Sequence, residues 1–176
     1  MSSTKPLEPP DSHFLSAASG WIELGDCREA GAELDRITPA LRAHPDVLKV
    51  RYEIHAKTAN WNAAAEAARA LLEMEPEDSQ FWILHAYAMR RMDGGGIPKA
   101  REILKMAQML FPRNPLICYN IACYECQSGS LAKAQVWLKR AFRNGNAAEF
   151  RAMALKDPDL QPLWAKLSAA NWKQMD

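Results

Sequence analysis

Small and apolar positions recur along this chain at helical spacing. One signature, a small residue followed five places later by alanine, recurs at four regularly spaced places. It begins at Gly25, Ala59, Gly95 and Gly129 and ends at Ala30, Ala64, Ala100 and Ala134. The four alanines are separated by 34, 36 and 34 residues. A fixed period of this length indicates stacked copies of one supersecondary unit, so we divide the chain into four repeats.

Each signature alanine starts an apolar stripe. Four residues after it stand Leu34, Ala68, Leu104 and Leu138, and seven residues after it stand Ile37, Leu71, Ala107 and Ala141. These offsets lie on one face of an α-helix, which the pattern therefore predicts will be buried. Pro76 and Pro112 follow their alanines by twelve residues and end the second helix of repeats 2 and 3.

The pattern predicts four helix pairs. They are 11–24 with 26–43, 46–58 with 60–74, 78–92 with 97–110, and 115–128 with 130–143, with a break near Thr38 and Pro39. The first helices carry Ala18, Ala86 and Ala122 at one shared place, where a small residue allows helices to cross closely. Repeat 2 carries Tyr52 there instead, so we expect that repeat to pack differently.

The chain resembles the tetratricopeptide repeat (TPR) family at these positions. Repeat 4 matches best, with Cys118, Ile121, Ala122, Gly129, Ala134, Leu138 and Ala141 in phase. The resemblance implies an all-α fold, a right-handed α-solenoid of about four TPR-like helix-turn-helix repeats. Their predicted bounds are 11–45, 46–78, 79–114 and 115–144. Residues 1–10, rich in proline, are expected to form a flexible tail, and 145–176 to form capping helices over the last repeat.

The resemblance also implies a binding surface. In this family the first helices line a concave groove that receives an extended peptide or a helix of a partner protein. The corresponding residues in repeats 2 to 4 are Lys49, Glu53, Ile83, Tyr87, Arg90, Arg91, Leu116, Tyr119, Cys123, Cys126 and Gln127. Tyrosine and arginine are common interface anchors, and guanidinium groups bind carboxylates. We therefore expect a protein or peptide partner that is acidic or contains aromatic residues.

Charge is distributed unevenly along the chain. Residues 1–78 hold 8 Lys and Arg against 14 Asp and Glu, whereas 79–144 hold 10 against 3. This split suggests a charge-driven homodimer, in which the acidic part of one copy meets the basic part of another. It also leaves open nucleic-acid binding through 79–144 with Tyr87 and Tyr119, although the overall charge of +1 argues against it.

The residues do not predict catalysis. The four histidines are scattered, and no phosphate-binding loop or nucleophile motif occurs, so we expect neither an enzyme nor a cofactor. Cys123 and Cys126 share a helix face, but a zinc site of the usual kind needs a second pair, and the chain has none. We expect these cysteines to fill apolar space, with a thiol or metal role as the alternative.

No apolar run approaches the roughly 18 residues of a membrane span, and no export signal is seen. We therefore expect a cytoplasmic protein acting as a non-enzymatic scaffold or adaptor.

Overall fold

A computed structural model of the chain describes residues 5–169. Within that range the chain is helical, without any β-strand. The helices are α1 (Asp11–Glu23), α2 (Cys27–Arg36), α3 (Pro45–Lys57), α4 (Trp61–Met74), α5 (Ser79–Met89), α6 (Ile97–Leu110), α7 (Pro115–Gln127), α8 (Leu131–Asn144), α9 (Ala147–Ala154) and α10 (Trp164–Ser168). Two 3-10 segments, Pro39–Leu41 and Pro158–Leu163, lie between helices. None of the helices described is long and apolar enough to cross a bilayer.

The helices form two compact units. The N-terminal unit, Met1–Gly96, contains α1 to α5, and the C-terminal unit, Ile97–Asp176, contains α6 to α10. Successive helices pack against each other within each unit, most extensively α1 with α2, α3 with α4, α4 with α5, and α7 with α8. The division at 10/11 and 144/145 that we drew from the sequence remains a prediction.

Asp and Asn side chains begin many of the helices. The Asp26 carboxylate accepts a hydrogen bond from the Glu29 backbone N–H at 3.0 Å, and the Asn114 side chain accepts from the N–H groups of Leu116 and Ile117 at 2.9 and 3.1 Å. Such caps satisfy donors that the first helical turn leaves open. The predicted helix starts therefore agree with the observed starts to within one residue.

The backbone conformation and the space around it explain why a small residue begins the signature. Gly25 and Gly129 adopt positive φ, +84° and +76°, in the turn between two helices, where glycine has no side chain to clash. Ala59 adopts the same conformation with φ 55°. Gly95 is needed for space, because a Cβ there would collide with the carbonyl oxygen of Met89. The signature therefore marks the turns.

The predicted stripe is buried in both units. In the N-terminal unit Ala30, Leu34 and Ile37 lie in one apolar cluster, and Ala64 and Ala68 lie in another. In the C-terminal unit the side chains of the same register places are also fully buried, namely Ala100, Leu104, Ala107, Ala134, Leu138 and Ala141. The helical register read from the sequence is confirmed.

Tyr52 makes repeat 2 an exception, as predicted. Its ring is buried among alanines of α4 and its hydroxyl donates a hydrogen bond to the Leu84 carbonyl oxygen of α5 at 3.2 Å. Burial, followed by the neighbouring Tyr87, raises the pKa of Tyr52 to about 12. A large side chain thus replaces the close crossing with a polar link between α3 and α5.

A buried carboxylate stabilises the break after α2. Asp11, at the start of α1, is 6% exposed and accepts hydrogen bonds from the backbone N–H and the hydroxyl of Thr38, at 2.6 and 3.0 Å. Pro39 then begins the 3-10 segment. The break near Thr38 and Pro39 is confirmed, and its partner Asp11 could be found only from the structure.

The ends of the described chain pack onto their own units. Leu7, in the expected flexible tail, contacts the apolar cluster of α1 to α3, and the Lys5 carbonyl oxygen lies 3.0 Å from His44 Nε2. After α9, the 3-10 segment packs against α7 with Leu160 and Leu163 buried. Residues 147–154 and 158–168 are thus helical, the second stretch partly as 3-10 helix, whereas 170–176 lie outside the described residues.

Candidate partner-binding surfaces

Arg91 lies over two aromatic rings in the N-terminal unit. Its guanidinium carbon is 3.5 Å from the ring centroid of Tyr87 and 5.3 Å from that of Trp61. The two rings meet nearly edge to face, with centroids 5.8 Å apart and planes at 65°. Arg91 Nη1 also donates to the Tyr87 carbonyl oxygen at 3.0 Å, at the C-terminal end of α5 where carbonyls lack helical partners. We call Trp61, Tyr87 and Arg91 the aromatic–arginine cluster.

A small cleft lies beside this cluster. It has a volume of about 140 Å³ and is lined by Ala59, Asn60, Trp61, Asn62, Arg91, Met92 and Asp93. Asn62 and Asp93 close one side through two hydrogen bonds of 2.9 Å, in which Asn62 Nδ2 donates to the Asp93 carboxylate and the Asp93 N–H donates to Asn62 Oδ1. The turn before α4 and the turn after α5 are thereby held together.

The other predicted groove residues of the N-terminal unit differ in exposure. Lys49 and Glu53 are exposed on α3, and each makes an ion pair along its own helix, Lys49 with Asp46 at 3.2 Å and Glu53 with Lys57 at 3.9 Å. Ile83 and Arg90 on α5 are half-buried. Trp61 was not among the predicted residues, because it begins a second helix and the groove was predicted from first helices only.

Three predicted residues of repeat 4 are buried rather than open. Tyr119, Cys123 and Cys126 are at most 4% exposed. The Tyr119 hydroxyl donates to Asp157 Oδ2 at 2.8 Å, and the Cys123 thiol lies 3.5 Å from the same oxygen. The Phe150 ring lies against the ring of Tyr119, with centroids 5.8 Å apart. The chain beyond α8 therefore contacts this face of α7.

Leu116 and Gln127 mark the rim of that covered face. Leu116 is 41% exposed, and Gln127 is exposed while its Nε2 donates to the Asp159 carbonyl oxygen at 3.0 Å. Asp157 was not among the residues predicted for this surface. Its Oδ1 does cap the 3-10 segment by accepting from the Asp159 N–H at 3.0 Å, while Oδ2 faces α7.

Burial favours the protonated forms of three α7 side chains, those of Cys118, Tyr119 and Cys126. Burial, then the neighbouring Cys123 and Asp157, raises the pKa of Tyr119, and burial followed by the charges of Asp159 and Asp157 raises the pKa of Cys126. Burial likewise raises the pKa of Cys118. A nucleophilic cysteine needs a lowered pKa, because the thiolate is the reactive form. The surroundings of Cys118 and Cys126 thus disfavour a nucleophilic thiolate in the metal-free chain.

Comparison with solved structures identifies the architecture. A thermophilic TPR protein from Thermus thermophilus superposes with a TM-score of 0.65 over 90% of this chain and 83% of its own, at 19% identity. The fold is of the tetratricopeptide-repeat type. The predicted fold class and resemblance are confirmed. The TPR-type helices described above were thus read correctly from a sequence pattern alone.

The remaining comparisons add little to this TPR-type assignment. PilW, a widely conserved type IV pilus biogenesis factor, is 16% identical over 89% of this chain and 99% of its own, with a TM-score of only 0.41. No family model matches the chain, and no curated protein matches it in sequence.

Proposed function

We propose that this chain is a non-enzymatic scaffold or adaptor that binds an acidic, aromatic-containing segment of a partner protein at the aromatic–arginine cluster. The TPR-type fold supports protein binding by analogy, since such folds present helix faces to other chains. The observation that carries the proposal is the position of Arg91 over Tyr87 and Trp61, with Tyr87 40% exposed.

The cluster suits a carboxylate ligand. Stacking on two rings and a bond to the Tyr87 carbonyl hold the guanidinium group before any partner arrives, so less conformational entropy is lost on binding. A planar guanidinium can bind a carboxylate through two parallel hydrogen bonds. The neighbouring ring of Tyr87 offers area to an aromatic or aliphatic side chain of the same partner.

The groove residues of repeat 4 remain a prediction. Tyr119 and Cys123 contact Asp157, and Cys126 is buried beside them on α7, so a partner would reach these residues only after the chain around Asp157 moves. Lys49 and Glu53, together with Ile83 and Arg90, remain proposed extensions of the site within the N-terminal unit.

Affinity capture from the native lysate tests the proposal. We expect wild type to retain a partner that Arg91→Glu and the Arg90/Arg91→Glu double variant lose, because reversing the charge repels a carboxylate. Arg28→Glu is the matched control, since the Arg28 side chain is 87% exposed and lies in the same unit. A fragment of the captured partner is then titrated against all four proteins. Equal affinity for wild type and Arg91→Glu would refute the site.

The same capture separates the alternatives. A nucleic-acid ligand would disappear after nuclease treatment and would show a steep dependence of affinity on salt. A cytoplasmic location remains a prediction from the sequence. A charge-driven homodimer remains a proposal as well, and sedimentation tests it: a chain that stays monomeric at low salt excludes it.

A further inference from the structure

The covered face of α7 brings together metal-ligating side chains from two parts of the chain. Cys123 and Cys126 lie one helical turn apart on α7, and Asp157 and Asp159 stand at the start of the 3-10 segment. The sulfur of Cys123 and one carboxylate oxygen of each aspartate lie within 4.8 Å of one another. The sequence lacked a second cysteine pair, but the fold supplies a carboxylate pair in its place.

Cys126 gives a second, independent reason to expect a ligand. Its side chain is 4% exposed, and its thiol has no hydrogen-bond partner among residues 5–169. Cys126 follows Cys123 by three residues on α7, so its side chain lies on the same helix face as the thiol that contacts Asp157. A buried polar group without a partner is uncommon in folded proteins, and here it stands beside three potential ligands.

We propose that Cys123, Asp157 and Asp159 bind a divalent transition-metal ion of the zinc class, with Cys126 completing the set by a side-chain rotation. Zinc takes four ligands tetrahedrally and accepts both thiolate sulfur, at about 2.3 Å, and carboxylate oxygen, at about 2.0–2.2 Å. Ligand atoms that lie within 4.8 Å of one another need only a small contraction to reach that geometry.

Metal binding displaces the protons of both cysteine thiols. Both thiols lose their protons to solvent as the two metal–sulfur bonds form, so metal affinity rises with pH until deprotonation is complete. The Tyr119 hydroxyl, 2.8 Å from Asp157 Oδ2, is placed to orient that carboxylate from outside the ligand set. The bound ion would fasten the segment that begins at Asp157 to α7, which is a structural role separate from the partner site of the N-terminal unit.

Cobalt titration of the full chain tests this site. The reduced protein, freed of metal by a chelator, is titrated with Co²⁺ while the near-ultraviolet thiolate-to-cobalt charge-transfer band is followed. We expect a band that saturates at one equivalent, is displaced by Zn²⁺, and is accompanied by a higher melting temperature in Zn²⁺. Cys123→Ser should weaken binding at least about ten-fold, because a neutral hydroxyl replaces the thiolate. Cys27→Ser, in the other unit, should leave binding unchanged.

Asp159→Asn keeps the experiment decisive if Cys123→Ser does not fold. It removes one ligand charge with almost no change of side-chain volume, and we expect a similar loss of Co²⁺ affinity. The proposal is overturned if the folded wild-type chain shows no thiolate band with Co²⁺, or if Asp159→Asn binds as wild type does. Either result would mean that Tyr119, Asp157 and Cys123 form a hydrogen-bonded cluster that binds no metal ion.

Discussion

Helices α5 and α7 are the first helices of repeats 3 and 4, and they present contrasting surfaces at matching places. Measured from Ala86 and Ala122, Tyr87 corresponds to Cys123 and Arg91 to Gln127. Tyr87 is 40% exposed and stacks with Arg91, whereas Cys123 is 3% exposed and lies against Asp157. One register place is thus open in the N-terminal unit and covered in the C-terminal unit.

The difference shows what a repeat pattern can tell. Register determines which face of a helix points away from its own pair, because side chains at fixed offsets share a face. Whether that face stays exposed depends on which other segments of the chain pack against it. In the C-terminal unit Asp157, Leu160 and Leu163 cover it, and they come from a stretch that follows no repeat.

The largest expected effect concerns a buried charge on the covered helix. Glu125 is 3% exposed, and its carboxylate lies 3.5 Å from Arg101 of α6, whereas the matching place in α5 holds Met89. Arg101→Met should lower the free energy of unfolding by about 3 kcal/mol, because it leaves a buried carboxylate without its cation. Urea denaturation measures this. The Arg101→Met/Glu125→Met double variant should recover most of the loss, and failure to do so would contradict the charge argument.

Overpacking should come next in size. Ala134 and Ala100 are fully buried at helix crossings. Replacing either with Leu should destabilise the chain by about 1–3 kcal/mol, because added methyl groups force neighbouring helices apart. A thermal melt tests the change. If both substitutions are tolerated, the register on which α5 and α7 were compared is wrong.

The two tyrosines test the comparison directly. Tyr119→Phe should cost about 1–2 kcal/mol, because it removes a hydrogen bond to the Asp157 carboxylate. Tyr87→Phe should change stability by less than about 0.5 kcal/mol, since that ring is partly exposed. Chemical denaturation of both variants gives the two values. Equal losses would mean that α7 is no more covered than α5.

A further effect, confined to alkaline pH, is expected in the N-terminal unit. The pKa of Tyr52 is raised to about 12 in the folded chain, against about 10 when unfolded. Its contribution to stability is therefore complete below pH 10 and is lost as the pH rises from about 10 to about 12. Tyr52→Phe should flatten this alkaline loss while weakening the chain at neutral pH through the missing bond to Leu84. Identical profiles for the two proteins, measured by denaturation at several pH values, would contradict this.

Much of the fold could be read from the sequence because its signals are local. These signals are the turn requirements at Gly25 and Gly129, the helix caps and the apolar stripes. Each acts over a few residues and recurs from repeat to repeat. The exception at Tyr52 was also visible, since a large residue stood where small ones recur. The candidate site was read less well. Arg91 and Tyr87 follow from the register, but Trp61 comes from a second helix, and the groove was predicted from first helices only.

The sequence by itself determined the helices, their register and the helix faces that pack inward, because periodic spacing and turn chemistry act within each repeat. Only the tertiary structure decided which faces remain accessible and which distant groups meet. Asp11 reaches Thr38, and Asp157 reaches Tyr119 and Cys123, across 27, 38 and 34 residues. No local rule specifies such pairs, because they form only when separate helices have packed.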